Sequence, residues 1–342
     1  MKAIEFKTHG SADVLRYVDV EKPRPGPGEA LVEVRAASIN HLDIFVRRGI
    51  PGLKLNLPHR PGSDAAGVVA EVGEGVREVR VGDEVVINPG LGCGHCEFCF
   101  SGEPSLCAHF QIMGEHFTGA YAQFVKMPVA NLVPKPDALS FTDAAALPLT
   151  LLTAWRMMIS RGRIAPGEDV LVLGAGSGVG VLAVQLARMS GARVFVTAST
   201  PEKQEKAKAL GADFVLDPAH GPVEKQIRAL TSRRGVDVVV DYIGRDTWIS
   251  SLKCLRNGGR LLTCGATSGH DPIEDLRHIF YRQLTIIGST MGSRHDLEAG
   301  LKAVARGYVR PIVHAILPLS DAADGQLLLE GRKAFGKVIL VP

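Results

Sequence analysis

The segment DVLVLGAGSGVGVLAVQLARM, residues 169–189, constrains this chain more than any other. An apolar run of strand length passes through a glycine-rich turn straight into an amphipathic helix, the opening half of a βαβ unit. Gly174, Gly176, Gly178 and Gly180 let the backbone turn tightly and approach a bound group closely. The helix start adds free N–H donors and the positive end of a dipole, so a pyrophosphate is the ligand this corner suits. Counted from Gly174 as GxGxxG, the third glycine position holds Val179, and the motif reads as a longer form of the turn. Gly176, Ser177, Gly178 and Val179 are the expected dinucleotide contacts. The bland alternative, a strand-to-helix corner that binds nothing, fits the βαβ context less well.

The surrounding pattern supports a parallel sheet. ARVFVTA, PEKQEKAKALG and DFVLD alternate strand with helix, and KQIRALT, VDVVVDYI, WISSLKCLR, GRLLTCG and LTIIGST repeat the alternation. Two such halves predict an α/β doubly wound Rossmann domain, with ligands at the carboxyl ends of its strands. Upstream, AAALPLTLLTAWRMMI from Ala144 reads as one helix. Before it, ALVEVRAASI, AGVVAEVG and DEVVI are strand-length runs punctuated by PRPGPGE, EVGEG and NPGLG, which predicts a β-rich domain. The 342 residues suit two domains. The expected division is 1–150 for the β-rich domain, 151–290 for the nucleotide domain, and a tail, 291–342. That tail ends in the strand GKVILVP, expected to return to the first domain.

Cofactor choice depends on the end of the second strand of the nucleotide domain. An NAD-selective site carries an Asp or Glu about 20 residues beyond the turn, to hold the ribose hydroxyls. ARVFVTASTPEK offers Ala198 there, with no carboxylate before Glu202, while Ser199 and Lys203 can meet a 2′-phosphate. NADPH is the expected cofactor. NADH stays open, because Lys203 reads equally well as a solvated helix residue.

Four of the six cysteines lie in GLGCGHCEFCFSGEPSLC: Cys93, Cys96, Cys99 and Cys107. Disulfides are disfavoured in a reducing compartment, and four thiolates at this spacing can close around one tetrahedral Zn²⁺. A sphere filled by sulfur leaves no position for water or substrate, so one structural zinc per chain is expected, with an iron–sulfur cluster as the alternative. His95 reads as a loop residue, and Cys254 and Cys264 as small buried residues. With 39 basic and 36 acidic residues, the net charge of +3 gives no footing for nucleic acid or an anionic membrane. A polar start and the lack of any long apolar run predict a cytoplasmic protein acting on a small molecule.

A β-rich half carrying this cysteine lobe, a doubly wound nucleotide domain and a returning tail together resemble the zinc-containing medium-chain alcohol dehydrogenase and quinone oxidoreductase superfamily. The resemblance covers essentially the whole chain. It implies a GroES-like catalytic domain, a Rossmann domain, an active site in the cleft between them, and a homodimer or homotetramer joined through the Rossmann edge strand, for which LRHIFYRQLTIIGST supplies apolar residues that read equally well as buried within one chain. It also places Lys337 against the pyrophosphate.

The ligands of the catalytic zinc in the alcohol dehydrogenase branch fall on Asn40, on Ser63 with Asp64, and on Leu149. Asn amide, Ser hydroxyl and Leu are not normal zinc ligands, so a catalytic zinc at the usual place is not expected. INHLD, PGSDAAGVV and AAALPLTLLTAW instead look like the zinc-independent quinone and enone reductases, in which Asn40 and Thr153 would lie near the nicotinamide. The expected activity is hydride transfer from NADPH to a quinone or an α,β-unsaturated carbonyl. Two other readings stay open: an alcohol dehydrogenase whose metal is held by His41, Asp64 and His116, with His59 an exposed loop residue, and a non-enzymatic nucleotide-binding role.

Overall fold

The computed structural model describes residues 1–342. The chain forms two compact units: Met1–Thr150 with Ser293–Ala305 and Pro311–Pro342, and Leu151–Gly292 with Arg306–Arg310. The tail therefore does not return as a single piece, since Arg306–Arg310 stays with the second unit. No helix is long and apolar enough to cross a membrane.

The second unit is built on a six-stranded sheet. Its order is Phe214–Leu216, Arg193–Thr197, Asp169–Val172, Val236–Val240, Leu255–Thr263 and Thr285–Gly288, with every pairing parallel. In chain order that is third, second, first, fourth, fifth, sixth, the doubly wound arrangement. Val170, Leu171, Val172, Val238, Val239 and Val240 are all fully buried. Parallel strands covered on both faces need such unbroken apolar runs, which is why these segments do not alternate.

The first unit centres on a seven-stranded sheet. Along its path lie Val313–Pro318, Lys337–Val341, Glu29–Ser38, Asp64–Val72, Glu84–Ile87 and Leu132–Pro134, and Phe124–Pro128 also pairs with Glu29–Ser38. The terminal strand joins antiparallel, with Ile339 opposite Ser38 and Leu340 opposite Ala37. On its other side Ser38 faces Asp64. Three neighbouring strands thus deliver Ser38, Asp64 and Lys337 to the same end of one sheet. Phe6, Ile39, Ile44, Met113 and Tyr121 form part of the core beside it.

The apolar stretch from Ala144 is not one helix. It divides into Phe141–Ala145 and Pro148–Trp155, and continues as a π-helical segment, Arg156–Arg161. Pro148 explains the break: it lacks an N–H and biases the residue before it away from helical geometry, so it starts a helix rather than continuing one.

Candidate functional site

The cysteine lobe is assembled by local chain alone. The Sγ atoms of Cys93, Cys96, Cys99 and Cys107 lie within 4.8 Å of one another, with Cys93 and Cys99 4.0 Å apart. Zinc–sulfur bonds of about 2.3 Å in a tetrahedron put sulfurs about 3.8 Å apart, so the four fit a single ion. A multi-iron cluster attaches its cysteines to different irons and needs them farther apart. The N–H groups of Cys93 and His109 donate to Cys107 Sγ at 3.5 and 3.3 Å and lower that thiol to about 6. Gly92 makes room for the lobe, since a Cβ there would lie 2.7 Å from Cys99 Sγ. His95 is exposed and meets only the Cys93 carbonyl, through Nδ1 at 2.8 Å.

A second polar cluster lies where the three strands end. The Asp64 carboxylate is fully buried and accepts from Ser38 Oγ at 2.8 Å, Asn40 Nδ2 at 2.8 Å and Lys337 Nζ at 3.0 Å, all on Oδ2. Its Oδ1 accepts from the Leu149 N–H at 2.7 Å. Leu149 is the second residue of the helix Pro148–Trp155, so the carboxylate satisfies a donor that has no partner within the helix and sits at the positive end of its dipole. The Lys337 ammonium also donates to Asn40 Oδ1 at 2.5 Å. Lys337 is 3% exposed and Asn40 5%. Ser63, beside Asp64, is fully buried, and its Oγ has no hydrogen-bond partner.

Behind this cluster, Asp43 Oδ2 accepts from the Asn40 N–H at 2.7 Å and the Tyr121 hydroxyl at 2.9 Å, and Oδ1 accepts from the Gly62 N–H at 3.0 Å. Burial raises Asp43 to about 6 despite these donors. His41, next to Asn40, has its pKa lowered, first by desolvation of its ring and then by the charges of Lys337 and Arg332.

In the second unit, the strand Asp169–Val172 leads through Gly174, at φ +67°, to the helix Gly178–Met189. Ser177 caps the helix, its Oγ accepting from the Gly180 N–H at 2.9 Å. The same hydroxyl donates to Tyr242 at 3.0 Å, and the Tyr242 hydroxyl donates to the Gly174 carbonyl at 3.0 Å. A Cβ on Gly180 would fall 2.4 Å from that carbonyl and 2.6 Å from the Tyr242 hydroxyl oxygen. Gly180 is therefore the close-packing glycine, one position later than in GxGxxG. The N–H groups of Gly178 and Val179 lie in the first turn, where no preceding helical carbonyl exists to accept them. This corner fits a dinucleotide pyrophosphate.

Residues 26–137 match the alcohol dehydrogenase GroES-like domain, and residues 178–306 match the zinc-binding dehydrogenase family. An alcohol dehydrogenase of Geobacillus stearothermophilus is 36% identical, over 91% of this chain and 91% of its own. An acryloyl-coenzyme A reductase of Metallosphaera sedula is 32% identical, over 99% of each chain. A solved structure of an NAD-dependent alcohol dehydrogenase superposes with a TM-score of 0.96 at 49% identity, covering all of both chains. The chain belongs to the zinc-containing medium-chain alcohol dehydrogenase and quinone oxidoreductase superfamily. It is an NAD(P)-dependent oxidoreductase with a GroES-like unit and a Rossmann unit.

Within this superfamily the Asn40 cluster departs from a catalytic zinc site. Its donors are an amide, a carboxylate shared among four hydrogen bonds, an unpartnered hydroxyl and a backbone N–H, and a lysine cation lies among them. That set does not fit a catalytic zinc. His41, Asp64 and His116 form no common group either: the cysteines are the one set of ligand atoms gathered closely enough to share an ion. His116 Nδ1 instead accepts from the Ile112 N–H at 3.1 Å. His59, expected in an exposed loop, is buried, with Nε2 3.0 Å from the Gly114 carbonyl.

Two of the expected site residues are bonded to each other in the first unit. Lys337, assigned by resemblance to the pyrophosphate, has its ammonium committed to Asn40 and Asp64 in the first unit. Asn40, expected near the nicotinamide, donates through Nδ2 to Asp64 and accepts at Oδ1 from Lys337. Thr153 lies on the helix Pro148–Trp155 in the second unit, 6% exposed, its hydroxyl 4.0 Å from Met291 Sδ. At the end of the second strand of the Rossmann sheet, Ala198 is buried, Ser199 is exposed and Lys203 half-buried. Tyr242 escaped sequence reasoning, because DYIG after a strand is no motif and only the fold closes its hydroxyl onto the glycine turn.

Proposed function

We propose that the chain catalyses NADPH-dependent hydride transfer to an electron-poor acceptor, an α,β-unsaturated carbonyl or a quinone, without a catalytic metal. The observation that carries this reading is the Asn40–Asp64–Lys337 centre, where an organic cation already neutralises the carboxylate. Without a Lewis acid, nothing lowers the pKa of a simple alcohol into the working range, whereas a conjugated acceptor needs only orientation and charge stabilisation. When bound, the reduced nicotinamide supplies the hydride. Gly176, Ser177, Gly178 and Val179 would hold its pyrophosphate, with Ser199 and Lys203 at the 2′-phosphate, and Thr153 would orient the ring. Asn40 positions Lys337 rather than the substrate. The Cys93, Cys96, Cys99 and Cys107 lobe would carry one structural zinc. The name acryloyl-coenzyme A reductase borne by one relative agrees with a conjugated acceptor.

Zinc analysis and steady-state assays test the reading together. The expected result is one zinc per chain, turnover of quinones or enones, and poor oxidation of primary alcohols. A second zinc, with ethanol oxidation abolished by mild chelation, would restore the alcohol dehydrogenase reading. The Ala198→Asp variant should shift preference from NADPH to NADH by about 10-fold or more, through repulsion of the 2′-phosphate and a new ribose acceptor. Because the 49%-identical structure is named NAD-dependent, the wild-type NADPH/NADH ratio is measured first, and a preference for NADH would overturn the cofactor assignment. Self-association through the edge strand Thr285–Gly288 is a further part of the proposal, with light scattering expected to give a dimer or tetramer.

A further inference from the structure

We infer that Tyr242 is a positioning residue for the dinucleotide: its hydroxyl fixes the glycine turn in the shape that leaves the Gly178 and Val179 N–H groups free for a pyrophosphate, and so sets cofactor affinity. The inference rests on the dinucleotide assignment of the proposed function and not on its acceptor.

Tyr242 stands two residues past the strand Val236–Val240, which pairs directly with Asp169–Val172, the strand that opens the turn. The strand order reverses between these two, so Tyr242 lies at the switch point where a doubly wound sheet receives its ligand. The ring is buried, and burial raises its pKa, which keeps the hydroxyl a donor. One directed chain of hydrogen bonds runs through it. The Gly180 N–H donates to Ser177 Oγ at 2.9 Å, Ser177 Oγ donates to the Tyr242 oxygen at 3.0 Å, and the Tyr242 hydroxyl donates to the Gly174 carbonyl at 3.0 Å. Donors aligned in this way polarise one another, so the links reinforce. From the other side the second strand of the sheet holds the same turn. Thr197 Oγ1 accepts from the Gly174 N–H at 2.8 Å, and the Thr197 carbonyl accepts from the Ala175 N–H at 3.1 Å.

This double hold answers a problem that the turn itself creates. Glycine loses more freedom on ordering than any other residue, and a turn that is loose before binding must be ordered at the expense of affinity. The folded state by itself has little need of the phenol oxygen. The Gly174 carbonyl also accepts from the Ser177 N–H at 3.1 Å, and Ser177 Oγ keeps the Gly180 N–H, so neither group is orphaned when the hydroxyl is removed. What is lost is the tie from the fourth strand to the turn, and its effect falls on the ligand that the turn receives.

The test titrates the full-length enzyme with NADPH and with adenosine 2′-monophosphate, which keeps the adenosine end and lacks the pyrophosphate. Tyr242→Phe retains the buried ring and should raise the Kd for NADPH about 5-fold, the worth of one net hydrogen bond. The Kd for the monophosphate and the melting temperature of the free enzyme should not move, and KM for NADPH should rise with kcat at saturation unchanged. Ser177→Ala breaks the same chain, so adding Tyr242→Phe to it should raise the Kd no further. An unchanged Kd for NADPH, or losses that add in the double variant, overturns the inference. So does an equal weakening of both ligands with a lowered melting temperature, which would make the hydroxyl merely structural. A wild type that binds NADH more tightly than NADPH overturns the cofactor assignment alone, and NADH with adenosine then carries the same comparison.

Discussion

The sulfur lobe and the lysine centre belong to the same unit, and the alcohol dehydrogenase branch of the superfamily would carry a metal at each. At the lobe every ligand position is kept and the four sulfurs stand within 4.8 Å of one another. At the centre the ligand positions hold Asn40, Ser63 and Leu149, and an ammonium lies among them. The contrast separates two tasks that metals perform. A metal that holds a loop together needs its complete ligand set, because a small lobe has little core of its own to fall back on. A metal that polarises an oxygen can be replaced by any fixed cation, provided the acceptor is reactive enough.

The largest effect should follow from breaking the lobe. Cys96→Ser removes one of four ligands and should forfeit much of the about 10–16 kcal/mol with which such sites hold zinc. Zinc content and melting temperature are expected to fall together, with turnover lost only as the protein unfolds. A variant that keeps its zinc and its melting temperature but no longer turns over would place the lobe in the chemistry and erase the contrast.

Next comes Asp64→Ala, which strands Lys337 as a buried charge and leaves the Leu149 N–H without its acceptor. A loss of about 3–5 kcal/mol is expected by denaturant titration, with zinc still at one per chain. Unchanged stability would mean that water reaches the ammonium freely, and the centre would be an exposed ion pair of little consequence.

The two regions also differ in how readable they are. The lobe is legible because its ligands fall between Cys93 and Cys107, so spacing alone constrains them. The centre draws on Ser38, Asn40, Asp64, Leu149 and Lys337, which meet only because the terminal strand pairs antiparallel with Ile339 opposite Ser38. Sequence marks Lys337 as a basic residue opening a strand, and a single register decides that it meets Asn40. The Rossmann sheet could be read from its unbroken valine runs, whereas Pro148 divided a stretch whose apolar pattern hid the break. Tyr242 was beyond reach for the same reason as Lys337: its hydroxyl acts on Gly174, 68 residues away.

The smallest effect is expected at Ser63, and it bears on which of the two regions meets the substrate. Its hydroxyl is buried without a partner, so Ser63→Ala removes an unsatisfied polar group and should leave stability unchanged or raise it by about 1 kcal/mol. The opposite outcome, a loss of about 1 kcal/mol, would show that the hydroxyl is already bonded, to a water held between it and a neighbour. Kinetics then divide the remaining cases. If the acceptor oxygen takes a hydrogen bond from Ser63, the alanine variant should show a several-fold loss in kcat/KM for enones at intact stability. If kcat/KM is indifferent to Ser63, the serine does not meet the acceptor and only fills the place where the resemblance puts a metal ligand in the alcohol dehydrogenase branch.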